Sequence, residues 1–369
     1  MQLKNYQQNT LDVLSRFFMD CRMMGAEAAY RKITAEPDIA IRLGRLRDNY
    51  VVWKTIPHTP RVCLKVPTGG GKTIIAAHAL KIVCETWLSC EFPVVLWFTP
   101  SDTIRRQTAE ALKNPRHPYR EALDEQFSGK VRVFDLDEKF NIRPTDIGNN
   151  ACIIVSTIQA FRQSNTDKYN VYKHNENLES HFMHISTSGG MEKDDNGALK
   201  FSFANLLYHH HPIVIVDEAH NVISGLSQEV QGRINPSAIV ELTATPQEKN
   251  NTLYSVRASE LKEEEMIKLP IALTEHYGWE TAVDEAIAKR AELEIAASNE
   301  HDYIRSILLF QAQDKNGEVN VEALKKYLIE TANLPEREIA IATGEQKELD
   351  GIDILLAIAL FALLSPWKR

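Results

Sequence analysis

Residues 66–73 read VPTGGGKT, which is the composition of a phosphate-binding loop, although Val66 replaces the first glycine of the strict motif. Consecutive glycines permit the backbone angles and the close approach that a cradle of N–H groups around a phosphate requires. A helix beginning near Lys72 would direct its positive end at the same phosphates. We expect Lys72 to bridge the β- and γ-phosphates and Thr73 to ligate Mg²⁺. The residues assigned to nucleotide binding in this loop are Thr68, Gly69, Gly70, Gly71, Lys72 and Thr73.

Two acidic residues follow a second apolar segment about 150 positions later. Asp217 and Glu218 come directly after the run 213–216, so both carboxylates should emerge at the carboxyl end of a strand. Asp217 is suited to hold Mg²⁺ through water, and Glu218 to orient and deprotonate an attacking water. The alternative is an acidic helix start stabilised by the helix dipole. The loop at residues 66–73 favours the catalytic interpretation.

Further along, His220, Thr243 and Thr245 are candidates for coupling nucleotide state to a second lobe. A satisfied core histidine and ordinary strand-end hydroxyls remain the alternatives for these positions. Near the start of the chain, Tyr6 stands beside Gln7, a pair that can stack on adenine and read its N6/N7 edge. The alternative for this dipeptide is a simple helix start.

Polar residues follow two other predicted strands and are candidates for nucleic-acid contacts. Hydroxyls, backbone amides and arginines at loop–helix junctions make phosphate contacts that do not depend on base sequence. Helix capping by Ser101 or Asp102 is the alternative. The candidates after the strand at 94–98 and after the strand at 152–155 are Thr99, Pro100, Ser101, Arg105, Arg106, Thr157 and Gln159.

Composition limits the class of protein. The 369 residues carry a formal net charge of −8 and are 44% hydrophobic, which is ordinary for a soluble chain and unlike an overall basic DNA-coating protein. The five cysteines show no CxxC spacing and indicate reduced thiols in the cytoplasm. The longest apolar run, residues 354–364, is shorter than the ~18 residues of a membrane span.

The pattern of elements predicts an α/β fold. Helical spacing dominates residues 1–55, and near-continuous β-branched runs at 61–66, 94–98, 152–155, 213–216 and 239–242 predict a mainly parallel sheet covered on both faces. We expect a RecA-like P-loop NTPase lobe at 56–255, with a polar surface insertion at about 163–200. A connector at 256–302 and an incomplete second RecA-like lobe at 303–369, with an atypical apolar tail, would follow.

In this order the motifs resemble those of superfamily 2 DEAD/DEAH-type helicases, and most closely the restriction (Res) subunits of type III restriction–modification enzymes. The segments that carry the resemblance are 67–78 (PTGGGKTIIAAH), 116–120 (RHPYR), 212–221 (PIVIVDEAHN), 241–246 (ELTATP), 263–270 (EEEMIKLP) and 339–345 (IAIATGE). The resemblance implies ATP and Mg²⁺ between two lobes, double-stranded DNA across both, and a modification (methyltransferase) subunit as partner. A nuclease domain would follow downstream.

The resemblance ends near residue 353. The family would continue toward a Gly-Trp-Asp type motif and an arginine finger, whereas residues 353–369 match neither, so we expect a C-terminal truncation or a change of reading frame. The leading hypothesis is the ATP-dependent helicase/translocase portion of a type III-like restriction endonuclease subunit. The alternatives are a nucleotide-binding remnant with weak turnover and an RNA-directed helicase.

Overall fold

The computed structural model describes residues 2–46, 49–161, 171–183, 185, 189–218, 225–266, 273–299, 306–343, 348 and 361–364. The chain forms two compact units, Met1–Leu269 and Pro270–Arg369. Among the helices in these ranges, none combines the length and the apolar character needed to cross a membrane.

The first unit is built on a seven-stranded sheet in which every pair of neighbouring strands is parallel, in the order β3-β4-β2-β5-β6-β1-β7. Because all strands run the same way, their carboxyl ends meet at one edge of the sheet. The strands are β1 Arg61–Lys65, β2 Val94–Thr99, β3 Val131–Asp135, β4 Ala151–Thr157, β5 Ile213–Asp217, β6 Ala238–Thr243 and β7 Thr252–Ser255. The five strands predicted from sequence are confirmed, and β3 and β7 are additional.

Alternate residues of the strands enter two separate hydrophobic cores. In β2, Val95 and Trp97 point into one core, whereas Leu96 and Phe98 point into the other. Both faces of the sheet are therefore covered, which explains the continuous apolar runs in the sequence. The helices of this unit are α1 Asn5–Met24, α2 Ala26–Thr34, α3 Pro37–Leu43, α4 Lys72–Val83, α5 Asp102–Lys113, α6 Pro118–Gln126, α7 Glu179–Phe182, α8 Phe203–His210, α9 Gly225–Ile234 and α10 Ala258–Glu263.

Two sequence predictions change at this level. The N-terminal helices are part of the first unit, because Leu14, Phe17 and Phe18 of α1 are fully buried in the same core as the sheet. The segment at 163–200, predicted as a surface insertion, also contributes to the core. Its residues Val171 and Leu178 are completely buried in the second core. The apolar residues scattered through that segment are too few to show a period, so the sequence alone did not reveal their role.

The second unit contains a small parallel sheet with the order β8-β10-β9. The charged helix that was predicted as a connector belongs to this unit, and its Val283 packs in the unit's own core with Leu324 and Leu328. The tail at 361–364 is the central strand of the sheet. The elements are α11 Trp279–Ser298, β8 Leu308–Gln311, α12 Val321–Glu330, β9 Ile339–Ala342 and β10 Phe361–Leu364.

Candidate functional site

The loop between β1 and α4 has the backbone geometry of an anion cradle. Gly69 and Gly71 adopt φ values of 81° and 75°, in the left-handed region that favours glycine. A Cβ atom added to Gly70 would lie 2.8 Å from Cγ1 of Val66 and 3.0 Å from the carbonyl oxygen of Pro67, so only glycine fits there. Lys72 is the first residue of α4, and the helix therefore starts at the loop as the sequence predicted.

The acidic pair lies at the end of β5 and reaches the same loop. The Nζ atom of Lys72 is 2.8 Å from Oε1 of Glu218, and the Thr73 side chain lies close enough to the Asp217 carboxylate to lower its pKa. Glu218 has a φ of 58°, an uncommon conformation for a residue with a long side chain and one that often marks functional sites. The four residues predicted to act on a nucleotide are thus in mutual contact.

The electrostatics of Asp217 suit a cation. Burial and the neighbouring Glu218 carboxylate raise the pKa of Asp217 to about 6, against opposing contributions from Lys72 and Thr73. Its buried Oδ1 has no hydrogen-bond partner among the residues that the structure describes. A buried acceptor left without a donor is costly, and a hard divalent cation would satisfy it with the oxygen ligand such ions prefer. Asp217 and the Thr73 hydroxyl therefore fit a Mg²⁺ site.

Tyr6 and Gln7 lie against the phosphate loop. The Tyr6 hydroxyl donates to the carbonyl oxygen of Gly70 at 3.0 Å, and Nε2 of Gln7 donates to the same oxygen at 3.3 Å. The Gln7 Oε1 accepts from the backbone N–H of Lys4 at 2.9 Å. Both side chains are at most 2% exposed. They are therefore bound to the protein itself, and neither presents a free face to a base; adenine recognition by this pair stays a prediction.

The candidate nucleic-acid residues gather at the same edge of the sheet as the nucleotide site. Thr99 and Thr157 are direct partners at the carboxyl ends of the neighbouring strands β2 and β4, and both are buried. The Thr99 hydroxyl donates to the Ser156 carbonyl at 3.2 Å. Ser101 caps α5 by accepting from the N–H of Ile104, which is the capping role weighed as its alternative. Pro100 and Gln159 are half-buried beside them.

The two arginines of α5 have different surroundings. Arg105 is 2% exposed and forms ion pairs with Asp102, Asp135 and Asp137, so its guanidinium is occupied within the protein. Arg106 is exposed. The sequence predicted that both arginines contact nucleic acid, and the structure corrects this for Arg105. Arg105 holds β3 and the following turn against α5, and of the two only Arg106 is accessible to a phosphate.

The comparison with protein families agrees with this arrangement. A family model described as type III restriction enzyme, Res subunit, matches residues 1–248. The chain belongs to this Res-subunit family. Membership places it among the helicase-type, nucleotide-hydrolysing enzymes and makes the first unit a RecA-like lobe, as the all-parallel sheet and its glycine loop also indicate. A search of curated proteins gave no significant match.

Several solved structures match this chain at low identity and low TM-score. T4 UvsW is 13% identical with a TM-score of 0.29, covering 85% of this chain, which spans 55% of UvsW. Saccharomyces cerevisiae Dbp5, solved with Gle1 and IP6, is 14% identical with a TM-score of 0.35. The match covers 92% of this chain and 75% of the Dbp5 chain. The type ISP restriction–modification enzyme LlaGI, solved with a DNA substrate mimic, is 14% identical with a TM-score of 0.31. The match covers 80% of this chain and 22% of the LlaGI chain. The assignment rests on the family model and the sheet.

In this Res-family chain the threonine segment after β6 is joined to the phosphate loop. The Thr243 carbonyl accepts from the N–H of Val66 at 3.0 Å, and the Thr243 hydroxyl accepts from the N–H of Thr245 at 3.2 Å. Thr243 is buried, whereas Thr245 is exposed. His220 lies outside the described residues. The coupling role stays a prediction, now with a direct backbone link from Thr243 to the loop.

Part of the segment 263–270, which the sequence marked only through the family resemblance, borders the phosphate loop together with Leu261. A Cβ atom on Gly70 would lie 3.3 Å from Leu261 of α10, and one on Gly69 would lie 3.7 Å from the carbonyl oxygen of Met266. Glu264 accepts from the N–H of Asn5 at 3.2 Å and so reaches the start of α1. No spacing in the sequence marks these residues as part of a site, because they approach it only through the fold.

Proposed function

We propose that this chain is the ATP-dependent motor portion of a type III-like restriction subunit and moves on double-stranded DNA. The observation that carries the proposal is the contact between Lys72 at the glycine loop and Glu218 directly after β5, with Thr73 and Asp217 beside it. Residues 146 positions apart meet at one edge of a parallel sheet, where α/β proteins bind their ligands. Two partly buried charged side chains, 9% and 27% exposed, that converge on a glycine cradle are poorly explained by stability alone.

Each residue has a separate task in this proposal. The loop N–H groups and Lys72 bind the phosphates, and Asp217 with Thr73 hold Mg²⁺, which when bound neutralises phosphate charge. Glu218 accepts a proton from the attacking water. The nucleotide phosphate would take over Lys72 from Glu218, so that the carboxylate can orient water. To contact adenine, the Tyr6 and Gln7 side chains would have to give up their hydrogen bonds to the Gly70 carbonyl oxygen.

The experiment is a DNA-stimulated ATPase assay on the full chain and two variants. Lys72→Ala should abolish ATP binding, whereas Glu218→Gln should bind ATP and lower kcat by about 10²–10⁴-fold, the range of general-base contributions. Lys81→Ala and Glu85→Gln are matched controls, because this pair lies on the same helical segment at its far end, with an ion pair of 3.4 Å. If the Lys72 and Glu218 variants behave as these controls, the proposal is wrong.

Two further outcomes select between the remaining functions. ATP binding that depends on Lys72, without phosphate release on any nucleic acid, would favour a nucleotide-binding module without turnover. Stimulation by RNA duplexes or single strands in preference to DNA would favour an RNA-directed helicase. A pull-down with a type III modification (methyltransferase) subunit tests the expected partner, since the whole assembly's activity depends on that contact.

A further inference from the structure

Two cysteines come together at the far end of the helix that begins at the phosphate loop. Helix α4 continues past Val83 into a π-helical turn, Cys84–Leu88. Ser89 then adopts a left-handed conformation with a φ of 53°, which reverses the chain. The N–H of Cys90 donates to the carbonyl oxygen of Cys84 at 3.3 Å. The backbone itself thus places the two cysteines side by side.

The side chains of the two cysteines are also in contact. Both are free thiols; Cys84 is buried and Cys90 is half-buried. The Cys84 thiol lies close enough to lower the pKa of Cys90 against the opposing effect of burial, and the positive charge of Lys81 also lowers it. The neighbouring Cys90 thiol, together with burial, raises the pKa of Cys84. Cys90 is therefore the nucleophile of the pair, and Cys84 is its protonated partner.

We propose that Cys84 and Cys90 are a redox-active dithiol that a hydroperoxide converts to an intramolecular disulfide. The proposal stands on the backbone hydrogen bond between the two residues, the contact between their thiols, and the unequal exposure of the two sulfur atoms. It does not depend on the proposed motor function.

The reaction proceeds in two balanced steps. The Cys90 thiolate attacks one oxygen of the hydroperoxide, the O–O bond breaks, and Cys90 becomes a sulfenic acid while water or an alcohol leaves after protonation. The Cys84 sulfur then attacks the Cys90 sulfur, and the hydroxyl group of the sulfenic acid leaves with the Cys84 proton as water. The dithiol loses two electrons in total, and the peroxide gains them. A dithiol reductant reverses the reaction by thiol–disulfide exchange.

The surroundings favour formation of this disulfide without a large rearrangement. The indole N–H of Trp87 donates to the Ser237 carbonyl at 2.9 Å, and Arg22 donates to the Ser89 hydroxyl at 2.9 Å. Both contacts hold the turn that carries the two cysteines. Disulfides require Cα atoms about 4.4–6.8 Å apart, a separation that a backbone hydrogen bond between the same residues favours.

The other three cysteines provide an internal comparison. Cys21, Cys63 and Cys152 are buried in the core of the first unit or its sheet. Burial raises the pKa of each thiol, for Cys152 to about 12. A buried thiol that stays protonated reacts slowly with peroxides. The folded chain should therefore be oxidised selectively at one pair.

The test is peroxide titration of the folded full chain, followed by alkylation, proteolysis and mass spectrometry. We expect Cys90 to react at least about tenfold faster than Cys21, Cys63 and Cys152, since one unit of pKa changes the thiolate fraction about tenfold. The product should be a Cys84–Cys90 disulfide within one chain, lighter by two hydrogen atoms and restored by dithiothreitol. Cys152→Ser is the matched control and should form the same disulfide.

Two variants separate the roles of the pair. In Cys84→Ser, Cys90 should stop at the sulfenic acid and be trapped by a 1,3-diketone reagent; Cys84→Ala serves instead if the buried hydroxyl prevents folding. In Cys90→Ser, Cys84 should remain unmodified. Equal reactivity of all five cysteines, or disulfides only between chains, would overturn the proposal. The readout involves no nucleotide, so its failure is distinguishable from failure of the motor function.

Discussion

The hydroxyl of Tyr6 donates a 3.0 Å hydrogen bond to the carbonyl oxygen of Gly70, so the first helix of the chain is joined to the middle of the phosphate loop. Gln7 donates to the same oxygen, and its own carbonyl is held by the N–H of Lys4. The loop is therefore braced by a helix that is distant from it in sequence.

Tyr6→Phe should weaken nucleotide binding while the fold is kept. A net hydrogen bond contributes about 1 kcal/mol, which corresponds to roughly a fivefold rise in the Kd for ATP if the loop alone bears the loss. Calorimetric titration with ATP measures the effect. Tyr277→Phe is the control, because that tyrosine is fully exposed. A Tyr6→Phe variant with the same Kd as this control would show that the brace does not shape the loop.

Asp217→Asn should stabilise the unliganded protein and abolish hydrolysis. The pKa of Asp217 is raised from 3.8 to about 6, so the folded state binds this proton more tightly than the unfolded state. The stability from this group is therefore fully present below about pH 4 and is lost as pH rises through about 6. At pH 7 the substitution should add about 1–2 kcal/mol, since partial exposure screens the effect.

Urea unfolding of both forms from pH 4 to pH 8 measures the Asp217 contribution. The difference in free energy of unfolding between Asp217→Asn and the parent chain should grow as pH rises through this window and then stay constant. Glu85→Gln, which changes an exposed carboxylate, should show no such growth. A difference that shrinks with rising pH would mean that Asp217 is stabilised as an anion by its neighbours.

Arg106→Ala should weaken DNA binding, whereas Arg105→Ala should lower the stability of the fold. Arg106 is exposed at the sheet edge, so its loss should weaken DNA binding on every sequence and reduce the salt dependence by about one unit of slope. Arg105 is buried and paired with three aspartates, of which only Asp135 is mostly buried, so its loss should lower stability by about 1–3 kcal/mol. Fluorescence titrations with duplex DNA at several salt concentrations and thermal melting separate the two. A reversal of the two effects would place Arg105 at the nucleic acid.

The sequence predicted the central strands and the meeting of the glycine loop with the acidic pair, because both follow from simple rules. Strands buried on both faces must be continuously apolar, and the ends of parallel strands meet at one edge, which brings Lys72 to Glu218. The strands that were missed, β3 and β7, are the two edges of the sheet, where Arg132 and Thr252 interrupt the apolar pattern. The role of Arg105 was missed with β3, because one of its partners, Asp135, ends that strand.

The Tyr6 contact could not be predicted for a related reason. Its partner is a backbone carbonyl 64 positions away, and a carbonyl leaves no mark on the sequence. The dipeptide Tyr6-Gln7 was interpreted as an adenine-reading pair, and the structure shows that both side chains bind the Gly70 carbonyl of the glycine loop. The polar segment at 163–200 was interpreted from its composition, which does not reveal that Leu178 is buried.

A single substitution that breaks the buried ion pair of Arg61 and Glu241 should strongly destabilise the protein. The side chains are 3.0 Å apart and at most 3% exposed, and Asn250 donates to the same carboxylate at 2.8 Å. Arg61→Ala should cost about 3–5 kcal/mol, because it leaves a buried carboxylate without its charge partner. Arg16→Ala removes an exposed pair with Glu36 and should cost less than about 1 kcal/mol. Urea unfolding compares the two, and equal costs would show that the Glu241 charge is solvated.

Removal of residues 354–369 should destabilise the second unit. The apolar composition of this tail predicts exposed surface and improved solubility on deletion, but β10 pairs with β8 on one side and β9 on the other. Without it, the two remaining strands have no partner in the sheet that the structure describes. We expect faster proteolysis within residues 273–343 and a smaller soluble fraction. Removal of 365–369 alone is the matched control and should change neither; if the longer deletion also changes neither, β10 contributes little to the unit's stability.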